Sequence, residues 1–220
     1  MALPCALAIF YYTHLLDHAL WYFELRTVPW IELTFSGIGF LGGVVHRWVD
    51  AETRMGRLAV PVFFAVIMLV PFMKPILDPL NLAALLDKCK GNVCLQSSGS
   101  TCGPASAATL LRGLGIPATE RELAIESYTY PGGTEAWYLA RAIRRKGADA
   151  KFVFSDDTLP SPSIAGVKMG GGHFIAIERS TADAVTFVDP LSGESTATPA
   201  ELRARYRFTG FFLQVRPGRR

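Results

Sequence analysis

The sequence predicts an α+β domain with an antiparallel sheet, preceded by an α-helical membrane anchor of three transmembrane helices. Two observations predict the domain. Three helical patterns follow one another between residues 103 and 147, and the apolar period then changes to two in five short segments. Helices followed by strands are typical of α+β architecture. A third observation predicts the anchor, because nearly all of the long apolar runs lie within residues 1–80.

The anchor is predicted from three apolar segments, at residues 2–23, 31–45 and 58–76. About 20 apolar residues span a bilayer, so the first and third segments are long enough. The second is shorter unless it extends to Trp48, and its four glycines suit close contact between helices within a membrane. We therefore predict a multi-pass protein of the bacterial cell membrane, with the lipid bilayer as a partner.

Three ionisable residues, His14, Asp17 and His18, share one helical face of the first apolar segment. Ionisable groups within a membrane usually face a partner or a cavity. We interpret the three residues either as a proton or metal site or as polar contacts between helices, and the sequence offers no further ligand nearby.

Two features bear on the side of the membrane that the domain occupies. Arginines concentrate in the connection between the second and third segments, at Arg47, Arg54 and Arg57, and basic short loops stay in the cytoplasm. Cys89 and Cys94 are interpreted either as a small disulfide, which persists in an oxidising compartment, or as two free thiols. The arginines and a disulfide both favour an extracytoplasmic domain.

Composition and motifs exclude several classes of function. The net charge is +3 and no stripe of basic residues is interleaved with aromatic ones, so nucleic acid is not expected as a partner. The motif GxxxxGK[ST] is absent, so the chain is not expected to bind ATP. A zinc site at Cys89 and Cys94 is not expected, because the domain contains no second Cys/His pair. No metal or other cofactor is therefore predicted.

The domain is predicted at residues 95–216, after a linker at 81–94. Its first helix is expected at 103–114, and its second, at 119–126, begins with a pattern that resembles a capping box. A third helix is expected within PGGTEAWYLARAIRRKG. Strands are expected at DAKFVF, SIAGVK, HFIAIE, AVTFVD and FTGFFLQV, where the apolar residues alternate.

Cys102 lies where the first of these helices begins. The thiolate is the reactive form of cysteine, and the positive end of a helix dipole stabilises it. A cysteine nucleophile also needs a base, which is normally histidine. His173 is the only histidine of the domain, because the other three lie in or beside the apolar segments. The sequence therefore offers His173 as the partner of Cys102.

His173 begins the strand HFIAIE, and Asp189 ends the strand AVTFVD. If these strands form a hairpin about position 181, His173 stands directly opposite Asp189, and Ile177 stands opposite Val185. Directly opposed side chains lie about 4.5–5.5 Å apart at Cβ. The Asp189 carboxylate is therefore expected to orient the His173 imidazole.

Gln96 lies upstream of Cys102 in a loop rich in serine and glycine. Its side-chain amide, together with the backbone N–H of Cys102, can donate hydrogen bonds to a developing oxyanion. Each residue alone also has a structural interpretation, such as a small residue packed at a helix start or an Asp-Pro turn. Their joint arrangement favours a catalytic site formed by Cys102, His173, Asp189 and Gln96.

These residues resemble the papain-like bacteriocin-processing, or double-glycine, cysteine peptidases, which occur in peptide-exporting ABC transporters and as free-standing relatives. The resemblance covers about residues 95–216 and rests on Gln96 ahead of TCGPAS, on GGHFIAIE and on FVDPLSG. It implies a papain-like fold. It also implies the roles of nucleophile, general base, orienting carboxylate and oxyanion donor for Cys102, His173, Asp189 and Gln96, respectively.

The sequence departs from the family in two ways. Thr101 stands where many members have aspartate, which changes no catalytic atom. The membrane segments precede the domain, and without a P-loop the chain does not drive export, so a separate exporter or membrane partner is expected. We interpret the protein as a membrane-anchored cysteine peptidase that processes peptide precursors or leader peptides. The alternative is a membrane-tethered, non-catalytic peptide-binding module of the same fold.

Overall fold

The chain divides into two compact units, Met1–Asp78 and Pro79–Arg220, which are described separately. The computed structural model describes the residues in the ranges 15–16, 18–32, 37–48, 54–169 and 171–218. In the first unit, the described residues form three helices: α1 (Leu20–Arg26), α2 (Gly37–Trp48) and α3 (Arg54–Leu77).

The helices of the first unit do not support the predicted anchor of three transmembrane helices. Helix α2, at the second predicted segment, has 12 residues, which corresponds to about 18 Å against a hydrocarbon core of about 30 Å. Within the described ranges, no helix combines the length and the apolar character that crossing a membrane requires. Most of the first predicted segment lies outside the described residues, as do His14 and Asp17, whereas His18 is described.

Helices α2 and α3 approach each other closely at Gly42. A Cβ atom at this position would lie 2.8 Å from Cγ of Phe64, so a larger residue would displace the ring. The glycine predicted to permit close helix contact therefore does so within the first unit. Helix α3 also leaves Leu58, Val62 and Phe63 more than half exposed.

The second unit is an α+β domain with an antiparallel sheet, as predicted. The sheet contains six strands: β3 (Ala148–Phe154), β4 (Ser163–Lys168), β5 (His173–Ser180), β6 (Val185–Asp189), β7 (Gly193–Ala197) and β8 (Arg207–Pro217). Their order is β3-β8-β4-β5-β6-β7. The helices are α4 (Cys102–Gly113), α5 (Glu120–Glu126), α6 (Ala136–Arg145) and α7 (Pro199–Arg205). A short hairpin, β1 (Cys89–Lys90) and β2 (Val93–Cys94), precedes them.

Local signals in the sequence account for several helix ends. The Thr119 side chain caps α5 by accepting a hydrogen bond from the backbone N–H of Glu122. Helix α7 begins with a complete capping box between Thr198 and Glu201. Helix α6 is followed by Gly147, whose φ of 87° suits the left-handed turn that ends a helix.

Successive side chains of β5 lie on opposite faces of the sheet, and both faces are covered. On one face, Ile175 and Ile177 belong to a buried cluster that includes Leu202 of α7. On the other face, Phe174 lies against the start of α4, where a Cβ at Gly103 would be 3.4 Å from the phenyl ring. The beginning of β5 is therefore enclosed by helices on both sides of the sheet.

The start of α4 is tied to the start of β5 by a hydrogen bond as well as by packing. The Ser106 hydroxyl, one turn into α4, donates to the carbonyl of Phe174 at 3.3 Å. Three alanines of α4 (Ala105, Ala107 and Ala108) are fully buried. These small side chains let the helix lie close to the sheet, which sets the distance between Cys102 and His173.

The register of the β5–β6 hairpin differs from the prediction by two residues. Ile177 pairs with Phe187 and not with Val185. The turn runs through residues 181–184, where the backbone N–H of Thr181 donates to the carbonyl of Ala184, and a bulge in β5 between Ile177 and Arg179 precedes it. The turn is therefore centred beyond position 181, which accounts for the shift.

A shift of two residues leaves every side chain on its predicted face, because side chains alternate along a strand. His173 and Asp189 consequently share a face, but as diagonal neighbours and not as a directly opposed pair. Diagonal neighbours lie about 7–8 Å apart at Cα, which long side chains can bridge.

Three elements were not predicted, namely the hairpin β1–β2, strand β7 and helix α7. Strand β7 has the sequence GESTA, whose residues are exposed or half-buried, so it carries no alternation of apolar residues. Helix α7 has seven residues and buries only Leu202. Both elements lack the apolar pattern on which sequence-based prediction depends.

Candidate active site

Cys102 is the first residue of α4 and a free cysteine with 7% of its surface exposed. As the first helical residue, it has a backbone N–H that the helix itself leaves without an acceptor. The thiol therefore lies at the positive end of a 12-residue helix, where an anionic sulfur is stabilised.

His173 is the first residue of β5, and its ring is buried beside the Asp189 carboxylate at the end of β6. The Nε2 atom of His173 lies 2.9 Å from Oδ1 of Asp189. The Cys102 side chain lies close enough to the same ring to raise its pKa. Because Nε2 contacts the carboxylate, Nδ1 is the nitrogen that remains for the sulfur. The structure thus brings Cys102, His173 and Asp189 together in the order predicted from the sequence.

Asp189 accepts hydrogen bonds from three elements of the fold. Besides the His173 ring, the backbone N–H of Leu191 donates to Oδ1 at 2.9 Å. The Tyr206 hydroxyl donates to Oδ2 at 2.6 Å. Both Asp189 and Tyr206 are more than nine-tenths buried, so these contacts replace the water that the carboxylate loses.

The environment shifts the pKa of each of these groups. Burial acts to lower the pKa of His173, but the hydrogen bond to the Asp189 carboxylate and the proximity of Cys102 outweigh it and raise this pKa to about 9. Burial acts to raise the pKa of Asp189, yet its three donors lower it to about 2. Burial and the contact with Asp189 together raise the pKa of Tyr206 above its usual range. The geometry therefore favours an imidazolium held against a carboxylate.

Tyr206 is a member of this site that sequence reasoning missed. It follows α7 directly, and its ring packs edge-on against Phe187 of β6, with ring centroids 5.9 Å apart. Helix α7 carries no apolar pattern that would place it against the sheet, so nothing in the sequence placed Tyr206 near Asp189. Its position beside Asp189 in the folded protein identifies Tyr206 as part of the site.

Gln96 lies in the loop that leads into Cys102. Its backbone N–H donates to the carbonyl of Pro190 at 2.9 Å, which ties this loop to the residue after Asp189. Its side-chain Nε2 donates to the carbonyl of Ser98 at 2.7 Å. An amide nitrogen carries two hydrogens, so one N–H remains for another acceptor.

Thr101, the departure from the expected aspartate, has a structural role in the same loop. Its hydroxyl oxygen accepts a hydrogen bond from the backbone N–H of Ser98 at 3.2 Å, and the side chain is fully buried. The residue before Cys102 therefore closes a local turn that leads from Gln96 to the helix.

Cys89 and Cys94 form a disulfide that joins β1 to β2. The backbone N–H of Cys94 also donates to the Thr109 hydroxyl of α4 at 3.0 Å. The structure thus favours the first of the two interpretations of this cysteine pair. Among the described residues, no group of three or more His, Cys, Asp or Glu side chains is arranged to hold a metal ion.

Comparison with known proteins was made for the sequence and for the fold. The model of the peptidase C39 family matches residues 90–220. An uncharacterized protein of Methanothermobacter thermautotrophicus is 37% identical over 125 residues, which are 56% of this chain and 87% of that protein.

Two solved structures share the fold. One is the peptidase domain of Streptococcus ComA, a bifunctional ABC transporter involved in quorum sensing, with a TM-score of 0.50, 22% identity and coverage of 56% of this chain and 96% of that chain. The other is a double-glycine-motif protease from an AMS/PCAT transporter, in complex with the leader peptide, with a TM-score of 0.50, 22% identity and coverage of 57% and 90%.

The raised pKa of His173 can be measured directly. In NMR titrations of the full-length protein, we expect the His173 ring to titrate near pH 9, and nearer its ordinary value of 6.5 in Asp189→Asn. The substitution removes the carboxylate that raises the pKa and leaves the burial that lowers it. Cys102→Ala removes the other contributor and should also lower the midpoint. The resonance is assigned by its absence in His173→Gln.

The same shift predicts the pH dependence of stability. The pKa of His173 is higher in the folded than in the unfolded protein, so its contribution is complete below pH 6.5 and is lost as pH rises through 9. Between these values the free energy of unfolding should fall more in the wild type than in Asp189→Asn. A wild-type midpoint near 6.5, or one unchanged by Asp189→Asn, would contradict the assigned contacts.

Proposed function

This chain belongs to the peptidase C39 family and is a cysteine-type peptidase, and on that premise we propose that Cys102 is its nucleophile. His173 acts as the general base and Asp189 orients the imidazole. The observation that supports this proposal is the 2.9 Å contact between His173 and Asp189 beside a buried free cysteine at a helix start. We also propose that residues 95–216 form the peptidase domain.

The proposed reaction has two steps. In the first, Sγ of Cys102 attacks the carbonyl carbon of the scissile peptide bond, and the carbonyl oxygen becomes an oxyanion. Protonated His173 then gives its proton to the leaving amine as the C–N bond breaks, which leaves an acyl-enzyme. In the second step, His173 takes a proton from water, the hydroxide attacks the thioester, and Cys102 leaves as thiolate.

The oxyanion of each step needs donors that are in place before it forms. We propose the backbone N–H of Cys102, which the helix leaves without an acceptor, and the remaining side-chain N–H of Gln96. Removal of one such donor typically lowers kcat by about 10²–10³-fold. Gln96→Ala should therefore lower kcat far more than it raises KM.

A peptide precursor with small residues beside the cut is the substrate that we propose. Leader-peptide processing in the family supports this class, and the double-glycine-motif protease of similar fold was solved with a leader peptide. A separate exporter or membrane partner would receive the product, because export itself requires a nucleotide-binding motif that this sequence lacks.

We further propose that the domain works in an oxidising compartment. The Cys89–Cys94 disulfide supports this placement, because disulfides persist outside the reducing cytosol. The arginines at residues 47–57 do not bear on this placement, because their effect on orientation requires transmembrane helices.

The reactivity of Cys102 provides the first test. In a Cys5→Ser background of the full-length protein, iodoacetamide at pH 6 should label Cys102 at least about tenfold faster than a model thiol, which is largely protonated at that pH. His173→Ala should reduce the rate to that of the model thiol, because the imidazolium that stabilises the thiolate is gone. Labelling of the wild type no faster than the model thiol would instead favour the non-catalytic peptide-binding module.

The same labelling tests whether Cys89 and Cys94 form a disulfide in the native protein. Protein isolated without reductant should leave Cys89 and Cys94 unmodified until a reductant is added, since a disulfide does not react with iodoacetamide. Free thiols at both positions in native protein would refute the oxidising placement and leave the peptidase proposal intact.

Cleavage of a peptide library by the full-length protein tests the substrate class. We expect products whose new carboxyl terminus is Gly or Ala, and no products from Cys102→Ala, which is the matched control for a contaminating protease. Cleavage without preference for small residues would eliminate double-glycine processing while retaining peptidase activity.

A further inference from the structure

Glu120 is a fully buried carboxylate that the proposed reaction does not use. It is the first residue of α5, and both of its oxygens accept hydrogen bonds from Ser97. The Ser97 backbone N–H donates to Oε1 at 2.6 Å, and the Ser97 hydroxyl donates to Oε2 at 2.6 Å. A buried carboxylate is costly unless it is hydrogen-bonded, and here the loop residue after Gln96 supplies both bonds.

The directions of these bonds are fixed by their chemistry. The Ser97 oxygen accepts from the backbone N–H of Leu86 at 2.9 Å, and its own hydrogen then goes to Glu120. An ionised carboxylate only accepts hydrogen bonds, so it matches a backbone N–H and a hydroxyl that both donate. The two oxygens of Glu120 therefore match the two donors of Ser97.

Through Ser97, Glu120 holds the peptide bond that follows Gln96. The peptide bond that precedes Gln96 is held separately, because the Gln96 N–H donates to the carbonyl of Pro190 at 2.9 Å. Gln96 is thus fixed on both sides of its Cα atom, once to the strand end that carries Asp189 and once to α5. With the backbone fixed, the direction of the Gln96 side chain is set by its bond to Ser98.

Glu120 is not needed to begin its own helix. The Thr119 side chain caps α5 through the N–H of Glu122. The next residue, Arg121, binds the carbonyl of Leu85 and the Asp87 carboxylate, and Glu122 pairs with Lys146. Of the three charged residues at the start of α5, only Glu120 is bonded to the loop of Gln96.

We propose that Glu120 is a positioning residue for the oxyanion donor, acting through Ser97 on Gln96. The inference rests on the proposed function, because it assumes that Gln96 stabilises an oxyanion. Misplacement of a donor by about 1 Å can cost about a hundredfold in rate, so the carboxylate has a measurable effect without touching the substrate.

A double-mutant cycle in the full-length protein separates this role from a purely structural one. Glu120→Ala should lower kcat by about tenfold to hundredfold with little change in KM. In a Gln96→Ala background the same substitution should have almost no further effect on kcat, because the donor that it positions is absent. Glu122→Ala, at a half-buried residue of the same helix that pairs with Lys146, is the matched control and should leave kcat unchanged.

Two further variants test the positioning role without depending on the stability of Glu120→Ala. Glu120→Gln retains an oxygen for the Ser97 N–H and can donate to the Ser97 hydroxyl oxygen, so it should recover most of the wild-type kcat. Ser97→Ala removes the hydroxyl's bond to Glu120 and its bond from the Leu86 N–H, keeps the backbone N–H bond to Glu120, and should lower kcat by a few-fold. It replaces Glu120→Ala in the cycle if that variant does not unfold cooperatively.

Iodoacetamide labelling of Cys102 distinguishes the outcomes, since alkylation forms no oxyanion. Glu120→Ala should label at the wild-type rate. Slow labelling in this variant, or an equal loss of kcat with and without Gln96, would overturn the positioning role while wild-type cleavage still supports the peptidase. Wild-type protein that cleaves no peptide would overturn the proposed function, and the inference with it.

Discussion

The arrangement of the domain depends on the burial of one carboxylate. Asp189 has lost its water, and it is held by donors from the start of β5, from the turn after β6 and from the residue that follows α7. Each hydrogen bond stabilises the charge of Asp189 and also joins a different element of the fold to this residue. The three bonds together keep the pKa of Asp189 near 2, so the group stays ionised wherever the fold is intact.

Cys102 lies beside His173, although its helix, α4, packs on the face of the sheet opposite to α7. The alanine-rich inner side of α4 and the bond from Ser106 to Phe174 set the position of the helix start against His173. The loop before it is fixed to the same strand end through Pro190. Cys102, His173 and the loop of Gln96 are therefore all held near the end of β6, and pre-organisation of a reactive site requires such fixed positions.

Much of this could be predicted from the sequence, and the reasons for success and failure are physical. Cys102 and His173 could be singled out because each is the only residue of its type in residues 95–216, and Asp189 because the strand periodicity places it on the face of His173. The hairpin register was wrong by two residues because a bulge and a four-residue turn leave no mark on that periodicity. Tyr206 and Glu120 were missed because their contacts join segments distant in sequence. The membrane anchor was predicted from apolar length alone, and the described helices do not support it.

The attachment of the disulfide hairpin has a practical consequence for handling the protein. A thiol enzyme is normally kept in reducing buffer, which also opens an accessible disulfide. Here the two cysteines differ, because Cys94 is fully buried and bonded to Thr109 of α4, whereas Cys89 is half-buried. Reduction therefore removes the covalent link between the two strands and leaves the bond from Cys94 to Thr109 of α4 in place. A buffer chosen to protect Cys102 is thus compatible with an attached strand ahead of Gln96.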